Sequence, residues 1–171
     1  MKTLPSINLR ALEPEDLDLL YSIENDKRLW NIGASNVPYS RYVLHDYIAN
    51  TTSDIYSDKQ LRLIIENDNA EAIGIADLIS FDPRHMRAEI GLVIISRYRN
   101  QGYGSAALSQ LLKYSVEILH LHQVYCIVAS SNEPCKSVFQ SLGFEASATL
   151  HDWLLQEDGY TDAILFTKIL C

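Results

Sequence analysis

The residues with the clearest chemical meaning lie together in Arg97-Tyr98-Arg99-Asn100-Gln101-Gly102-Tyr103-Gly104-Ser105, where two arginines precede two glycines. An apolar run, Ile90 to Ile95, leads into this turn. Leu108, Leu111, Leu112, Val116 and Leu119 follow it at helical spacing. A glycine turn that opens a helix is suited to an anion, because unpaired backbone N–H groups and the positive end of the helix dipole converge there. Gly102 to Ala107 formally satisfies G-x-G-x-x-A, but a dinucleotide fold needs an acid roughly 20 residues further on. His120 to Ser130 contains none, and too little chain follows for the usual run of βαβ units. A P-loop is excluded because no Gly-Lys-Ser/Thr follows the glycines. What remains is a turn whose successive N–H groups would wrap a pyrophosphate at the mouth of a helix.

Other reactive residues weigh less. Cys135 lies near the start of a helix, but no histidine is placed to activate it, so a bystander thiol is expected. His120 and His122 have ligand-like spacing without a third ligand. Cys126, Cys135 and Cys171 form neither a C-x-x-C pair nor an even set. No metal site and no disulfide framework are expected. Trp30, Tyr39 and Trp153 are candidates for lining a substrate groove, with aromatic core as the alternative.

The chain of 171 residues, 47% hydrophobic and 21% charged, has the size and composition of a single domain spanning 1–171. No apolar run approaches a membrane span, and Pro5 and Asn8 interrupt the region where a signal peptide would be apolar. A cytoplasmic protein with no membrane partner is expected. The formal charge of -8 disfavours nucleic acid and favours a cationic partner such as an amine.

The elements that must position the turn read as follows. Ile7 to Leu12 alternates as a first strand, and Pro14 among Glu13, Glu15 and Asp16 starts a helix carrying Leu17, Leu20, Ile23 and Leu29. Trp30 to Tyr39 reads as a loop, and Tyr42, Val43, Tyr47 and Ile48 form a weaker helical stripe. Leu61 to Ile65 and Ala72 to Ile79 form a hairpin across a polar turn, and a further turn at Asp82-Pro83-Arg84-His85 leads into the central strand. Val124 to Ala129 completes a β-α-β unit with parallel strands. Ser131 to Pro134 starts a helix that Gly143 ends, and Glu145 to Leu155 with Ala163 to Ile169 makes a last hairpin. The reading is a mixed α/β domain.

The order Arg99-Asn100-Gln101-Gly102-Tyr103-Gly104 resembles the R/Q-x-x-G-x-G/A motif of the GNAT superfamily of N-acetyltransferases. Asn132 through Gly143-Phe144 resembles its second block, with Cys135 where that block prefers a small residue. Leu9 to Leu12, Ala88-Glu89-Ile90-Gly91 and Asp152 to Asp162 extend the likeness over nearly the whole chain, which is most similar to the ribosomal-protein and spermidine acetyltransferase branch. The resemblance implies a mostly antiparallel central sheet of about seven strands with helices on both faces and two splayed parallel strands at its centre.

It further implies acetyl-CoA as co-substrate, with direct attack of a primary amine in a ternary complex. The backbone of Leu92, Val93 and Ile94 would bind the pantetheine arm, and Arg99, Asn100, Gln101, Gly102, Tyr103, Gly104 and Ser105 the pyrophosphate. Asn132 would lie beside the pantetheine and Lys136 would contact a phosphate. Glu89 falls where relatives have the acid that takes the amine proton; a strand-end ion pair with Arg87 or Arg84 is the alternative. Phe139 stands where many relatives have a tyrosine that protonates the leaving thiolate, and Ser137 is a weak substitute. The segment 34–39 lacks the acids with which the spermidine enzymes hold a polyamine, leaving Glu66, Asp77, Asp82 and Asp152 to supply that charge. The acceptor is expected to be a small amine or polyamine. A protein N-terminus is the alternative acceptor, and a non-catalytic acyl-CoA-binding module the alternative of another kind. Homodimers are common among relatives.

Overall fold

A computed structural model describes residues 3–30 and 36–170. Seven strands run in the ladder order β1-β2-β3-β4-β5-β7-β6: β1 (Ile7–Ala11), β2 (Leu61–Asn67), β3 (Ala72–Asp82), β4 (Arg87–Ile94), β5 (Gln123–Ala129), β6 (Glu145–Gln156) and β7 (Gly159–Ile169). The helices are α1 (Leu17–Glu24), α2 (Lys27–Trp30), α3 (Arg41–Asn50), α4 (Ile55–Asp58), α5 (Tyr103–Glu117) and α6 (Glu133–Ser141). The fold is mixed α/β with a mostly antiparallel sheet, as expected. None of the helices described is long and apolar enough to cross a membrane.

The chain forms two compact units, each built from separate segments. The first comprises Met1–Leu12, Thr51–Tyr125 and Lys168–Cys171. In it β1 to β4 form an antiparallel meander, with Leu9 opposite Ile65, Ile64 opposite Ile75 and Ala76 opposite Leu92. β3 bulges between Ile79 and Asp82 before the turn into β4. The core is aliphatic: Ile64, Ile65, Ile73, Leu78, Leu108, Leu111, Leu121 and Val124 are sealed from solvent. The stripe on α5 is what the spacing of Leu108, Leu111 and Leu112 requires, since residues three and four apart share a helix face. The Gln110 amide anchors α5 to β1 by donating to the Ile7 carbonyl at 2.7 Å.

The second unit comprises Glu13–Asn50 and Cys126–Thr167. Pro14 opens one turn of 3-10 helix that runs into α1, and Glu13 and Asp16 cap it reciprocally. The single helix expected to reach Leu29 is instead broken at Asn25. Its amide bonds the Tyr21 and Tyr39 carbonyls while its oxygen accepts the Tyr39 N–H. On α3 the buried face is Leu44 and Ile48, whereas Tyr42 and Val43 from the expected stripe are exposed. β6 and β7 form the C-terminal hairpin, and β7 starts at Gly159, four residues before the expected Ala163.

Candidate functional site

Within the first unit, β4 joins β5 through three parallel rungs, Arg87↔Gln123, Ala88↔Val124 and Glu89↔Tyr125. Backbone alternation then sorts the rest of β4. The Ile95 N–H donates to the Ile73 carbonyl at 2.9 Å, so Val93 and Gly91, two and four residues earlier, also turn their polar groups toward β3. A Cβ at Gly74 would collide with the Val93 carbonyl, which has the same cause. Leu92 and Ile94 turn theirs the other way. Of the three residues expected to offer backbone groups to a ligand, Leu92 and Ile94 face away from β3, while Val93 is spent within the meander.

The turn after β4 is set by two left-handed residues, Asn100 at φ +58° and Gly102 at φ +88°. Gly102 is also confined, since a Cβ there would lie 3.0 Å from Pro5 Cδ. The first bond of α5 runs from the Ala106 N–H to the Gly102 carbonyl, so the N–H groups of Tyr103, Gly104 and Ser105 precede the helical ladder. Arg99 is exposed and folds back, its Nε donating to the Ile94 carbonyl at 2.8 Å. The Gln101 amide bonds the Arg97 carbonyl, and the Arg97 guanidinium lies 4.9 Å from the Tyr98 ring centre. A Cβ on Gly104 would meet Leu92 and Ile94 at ordinary contact distances, 3.9 and 4.0 Å, so the first turn of α5 packs beside the end of β4. A pyrophosphate or another doubly charged anion fits this donor set.

Glu89 is half-buried. Among the described residues it has neither hydrogen-bond nor ion-pair partner, and burial raises its carboxyl above the ordinary value. The alternative ion pair fails, because Arg87 reaches Asp82 at 3.3 Å. Its rung partner is Tyr125, and registered parallel residues share a face. The Tyr125 hydroxyl shares a hydrogen bond with the Ser80 side chain and is raised by burial first and by Glu89 second. Asp77, opposite Gly91, shares that face and is held by Arg62 through two bonds of 2.9 Å. Sequence reasoning missed Tyr125 and Ser80, since only the strand register and the β3 bulge bring them beside Glu89.

The second unit carries the other expected site residues. Asn132 caps α6, its side-chain oxygen accepting the Cys135 N–H at 3.2 Å. Lys136 is paired with Glu133 at 2.5 Å. Phe139 is 2% exposed and packs edge-to-face on Phe144 at 5.0 Å. Burial pushes the Cys135 thiol up to about 11, so it is inert at neutral pH, as expected of a bystander. Of the acids expected to supply charge, Glu66 is bound to Arg10, Asp77 to Arg62 and Asp82 to Arg87. Ala34 and Ser35 of the acid-poor segment, and Cys171, lie outside the described residues. Among the described residues no group of three His, Cys, Asp or Glu side chains could hold a metal ion.

Comparison with known proteins agrees with this geometry. A model of the acetyltransferase (GNAT) domain family matches residues 6–145. The spermidine N(1)-acetyltransferase of Escherichia coli (strain K12) is 27% identical over 168 residues, covering 96% of this chain and 86% of that protein. The crystal structure of spermidine N-acetyltransferase from Vibrio cholerae with CoA and spermine superposes with a TM-score of 0.85 at 24% identity, covering 96% of this chain and 95% of the other. A dodecameric structure of the Vibrio cholerae enzyme does so with a TM-score of 0.79 at 25% identity, covering 96% and 94%.

Proposed function

Because the chain belongs to the GNAT acetyltransferase family, we propose that residues 1–171 act as one catalytic domain that moves an acetyl group from acetyl-CoA to a primary amine by direct attack. The observation that carries this is the arrangement along β4. A half-buried carboxylate at Glu89, without a partner among the described residues, stands on one strand with the outward-turned backbone of Leu92 and Ile94, and after that strand comes a helix mouth where the N–H groups of Tyr103, Gly104 and Ser105 precede the helical ladder.

The pyrophosphate of acetyl-CoA fits the turn Arg99 to Ser105, where N–H groups of Tyr103, Gly104 and Ser105 and the nearby arginines supply positive potential. The pantetheine arm pairs with the Leu92 N–H and C=O and the Ile94 N–H, the Ile94 carbonyl being taken by Arg99. Among the described residues the parallel rungs of β4 end at Glu89, which leaves these backbone groups outside that ladder. When bound, acetyl-CoA supplies a thioester carbonyl activated toward nucleophiles. An amine attacks only when neutral, and Glu89 takes its proton. The raised carboxyl is well matched to that task, since a base works best with a pKa drawn toward the operating pH. No metal ion is needed for these steps.

The acceptor is an aliphatic diamine or polyamine, a reading supported by the likeness to spermidine enzymes and by the charge of -8. Asp77 presents further acidity on the Glu89 face, already shared with Arg62. The protein works in the cytoplasm and associates with copies of itself, as the dodecameric Vibrio cholerae enzyme does.

A thiol-release assay with acetyl-CoA against polyamines, aminoglycosides, amino acids and N-terminal peptides tests the proposal. Turnover is expected with polyamines. Acetyl-CoA at about 100 times its dissociation constant should stabilise the fold by roughly 2.7 kcal/mol. Stabilisation without thiol release from any acceptor would identify a binding module instead. A peptide-only profile would move the acceptor to protein N-termini, and no stabilisation at millimolar acetyl-CoA would overturn the reading altogether.

A further inference from the structure

Acetyl transfer needs a second proton movement for which the expected residue is unsuited. The departing thiolate has to be protonated, yet position 139, where the resemblance expects a phenol, holds a phenylalanine packed on Phe144. A phenol does stand next to the base. Glu89 and Tyr125 occupy one rung of the parallel ladder and therefore one face. A third strand fixes where that phenol points. β3 bulges between Ile79 and Asp82, and within the bulge Ser80 adopts φ +51°, a conformation that non-glycine residues seldom take without a local cause. The Ser80 side chain meets the Tyr125 hydroxyl. Strands β3, β4 and β5 thus each deliver one polar group to the same place.

We infer that the Tyr125 hydroxyl, aimed by Ser80, protonates the departing coenzyme A thiolate and is recharged by Glu89. The inference rests on the acetyltransferase reading above. The neutral amine nitrogen attacks the thioester carbon, forming the C–N bond while the carbonyl pair moves to oxygen. That pair returns, the C–S bond breaks and sulfur leaves with its electrons. The proton shed by the new ammonium passes to the Glu89 carboxylate, the Tyr125 O–H proton passes to sulfur, and Glu89 returns its proton to the phenolate. One acetyl group is moved, one thiol is released, and both side chains end as they began.

The surroundings suit this. The ionisable groups acting on Tyr125 are Glu89, Arg87 and Asp82, the last two paired with each other. Burial and Glu89 keep the phenol protonated at neutral pH, while the Ser80 bond eases formation of the phenolate.

The test is steady-state kinetics of the native chain, Tyr125→Phe and Ser80→Ala with acetyl-CoA and a polyamine acceptor. Tyr125→Phe should lower kcat by about 10²- to 10⁴-fold with KM for both substrates held, and should remove the alkaline limb of the kcat profile. In Ser80→Ala that limb should move to higher pH, because the bond favouring the phenolate is gone. Fluorotyrosine placed at position 125 alone should move it to lower pH and keeps the ring, which guards against a folding defect in Tyr125→Phe. A native chain that turns over while Tyr125→Phe matches its kcat, or a limb that none of these changes moves, would overturn the inference and leave the acetyltransferase reading intact. A native chain with no turnover would instead remove the reading on which it rests.

Discussion

The two stretches that carry the family likeness, Ala88 to Ser105 and Asn132 to Phe144, are equally legible as motifs and use their polar groups in opposite ways. In the first, Glu89 has no partner among the described residues and the N–H groups of Tyr103, Gly104 and Ser105 lie ahead of the helical ladder. In the second, Asn132 is occupied as a cap, Lys136 by Glu133 and Phe139 by Phe144. Unspent polar groups in a partly buried place cost stability and are retained where a ligand or a reaction uses them. Spent ones are explained by the fold alone. The proposed function therefore rests on the first stretch, while the bonds of the second are accounted for by the fold, and variants can separate the two.

The largest effect should come from Glu89→Gln. Loss of the base is expected to lower kcat by about 10²- to 10⁴-fold. The sign of the pH dependence follows from the raised carboxyl: the base acts ionised, so the native rate is lost as pH falls through a value above the usual carboxylate range. The glutamine variant should show no such acid limb. It should also melt no lower than the native chain, because an amide is cheaper to bury than an unpaired charge. A variant that melts much lower with its acid limb intact would make Glu89 structural.

Next comes Gly102→Ala, which tests the cradle. A left-handed residue with a Cβ costs about 1 to 2 kcal/mol, and here the added atom also presses on Pro5. The melting temperature should fall by about 2–8 °C for a chain of this size, and KM for acetyl-CoA should rise while kcat at saturation is kept. A normal KM would place the pyrophosphate away from this turn.

Much of this contrast could be read before any coordinates. The strand, glycine turn and long helix stand out because the hydrophobic period changes there, and both hairpins are announced by polar turns. The break at Asn25 was hidden, since it depends on bonds to Tyr39 far along the chain. So was α4, whose four residues hold no period and which relies on the Asp54 side chain accepting the Tyr56 N–H. Tyr125 looked like one more strand residue. Its place beside Glu89 comes from the register of two strands separated by a whole helix, and its hydrogen bond from a bulge that no local pattern encodes. Val93 shows the reverse failure: the motif picks three adjacent residues, but alternation lets only every second one face away from β3.

On the architectural side, Asn132→Ala should remove a helix cap at a cost of about 1 kcal/mol, seen as a melting shift of about 2–4 °C. If the side chain acts chiefly as the cap in the structure, KM for acetyl-CoA stays essentially native. A large rise in KM at unchanged melting temperature would show that its amide nitrogen, which the cap does not use, serves the cofactor.

Lys136→Ala should have the smallest effect and decides the boundary between the two stretches. The pair with Glu133 is one helical turn long and its acid is solvent-exposed, so the stability change should stay within about 0.5 kcal/mol. The same weakness means the ammonium is released at little cost when a stronger anion is near. A salt-dependent rise in KM for acetyl-CoA, absent with a donor lacking the phosphates, would therefore assign Lys136 to the phosphates despite its partner. An unchanged KM would confine α6 to architecture and leave the anion to the helix mouth after β4.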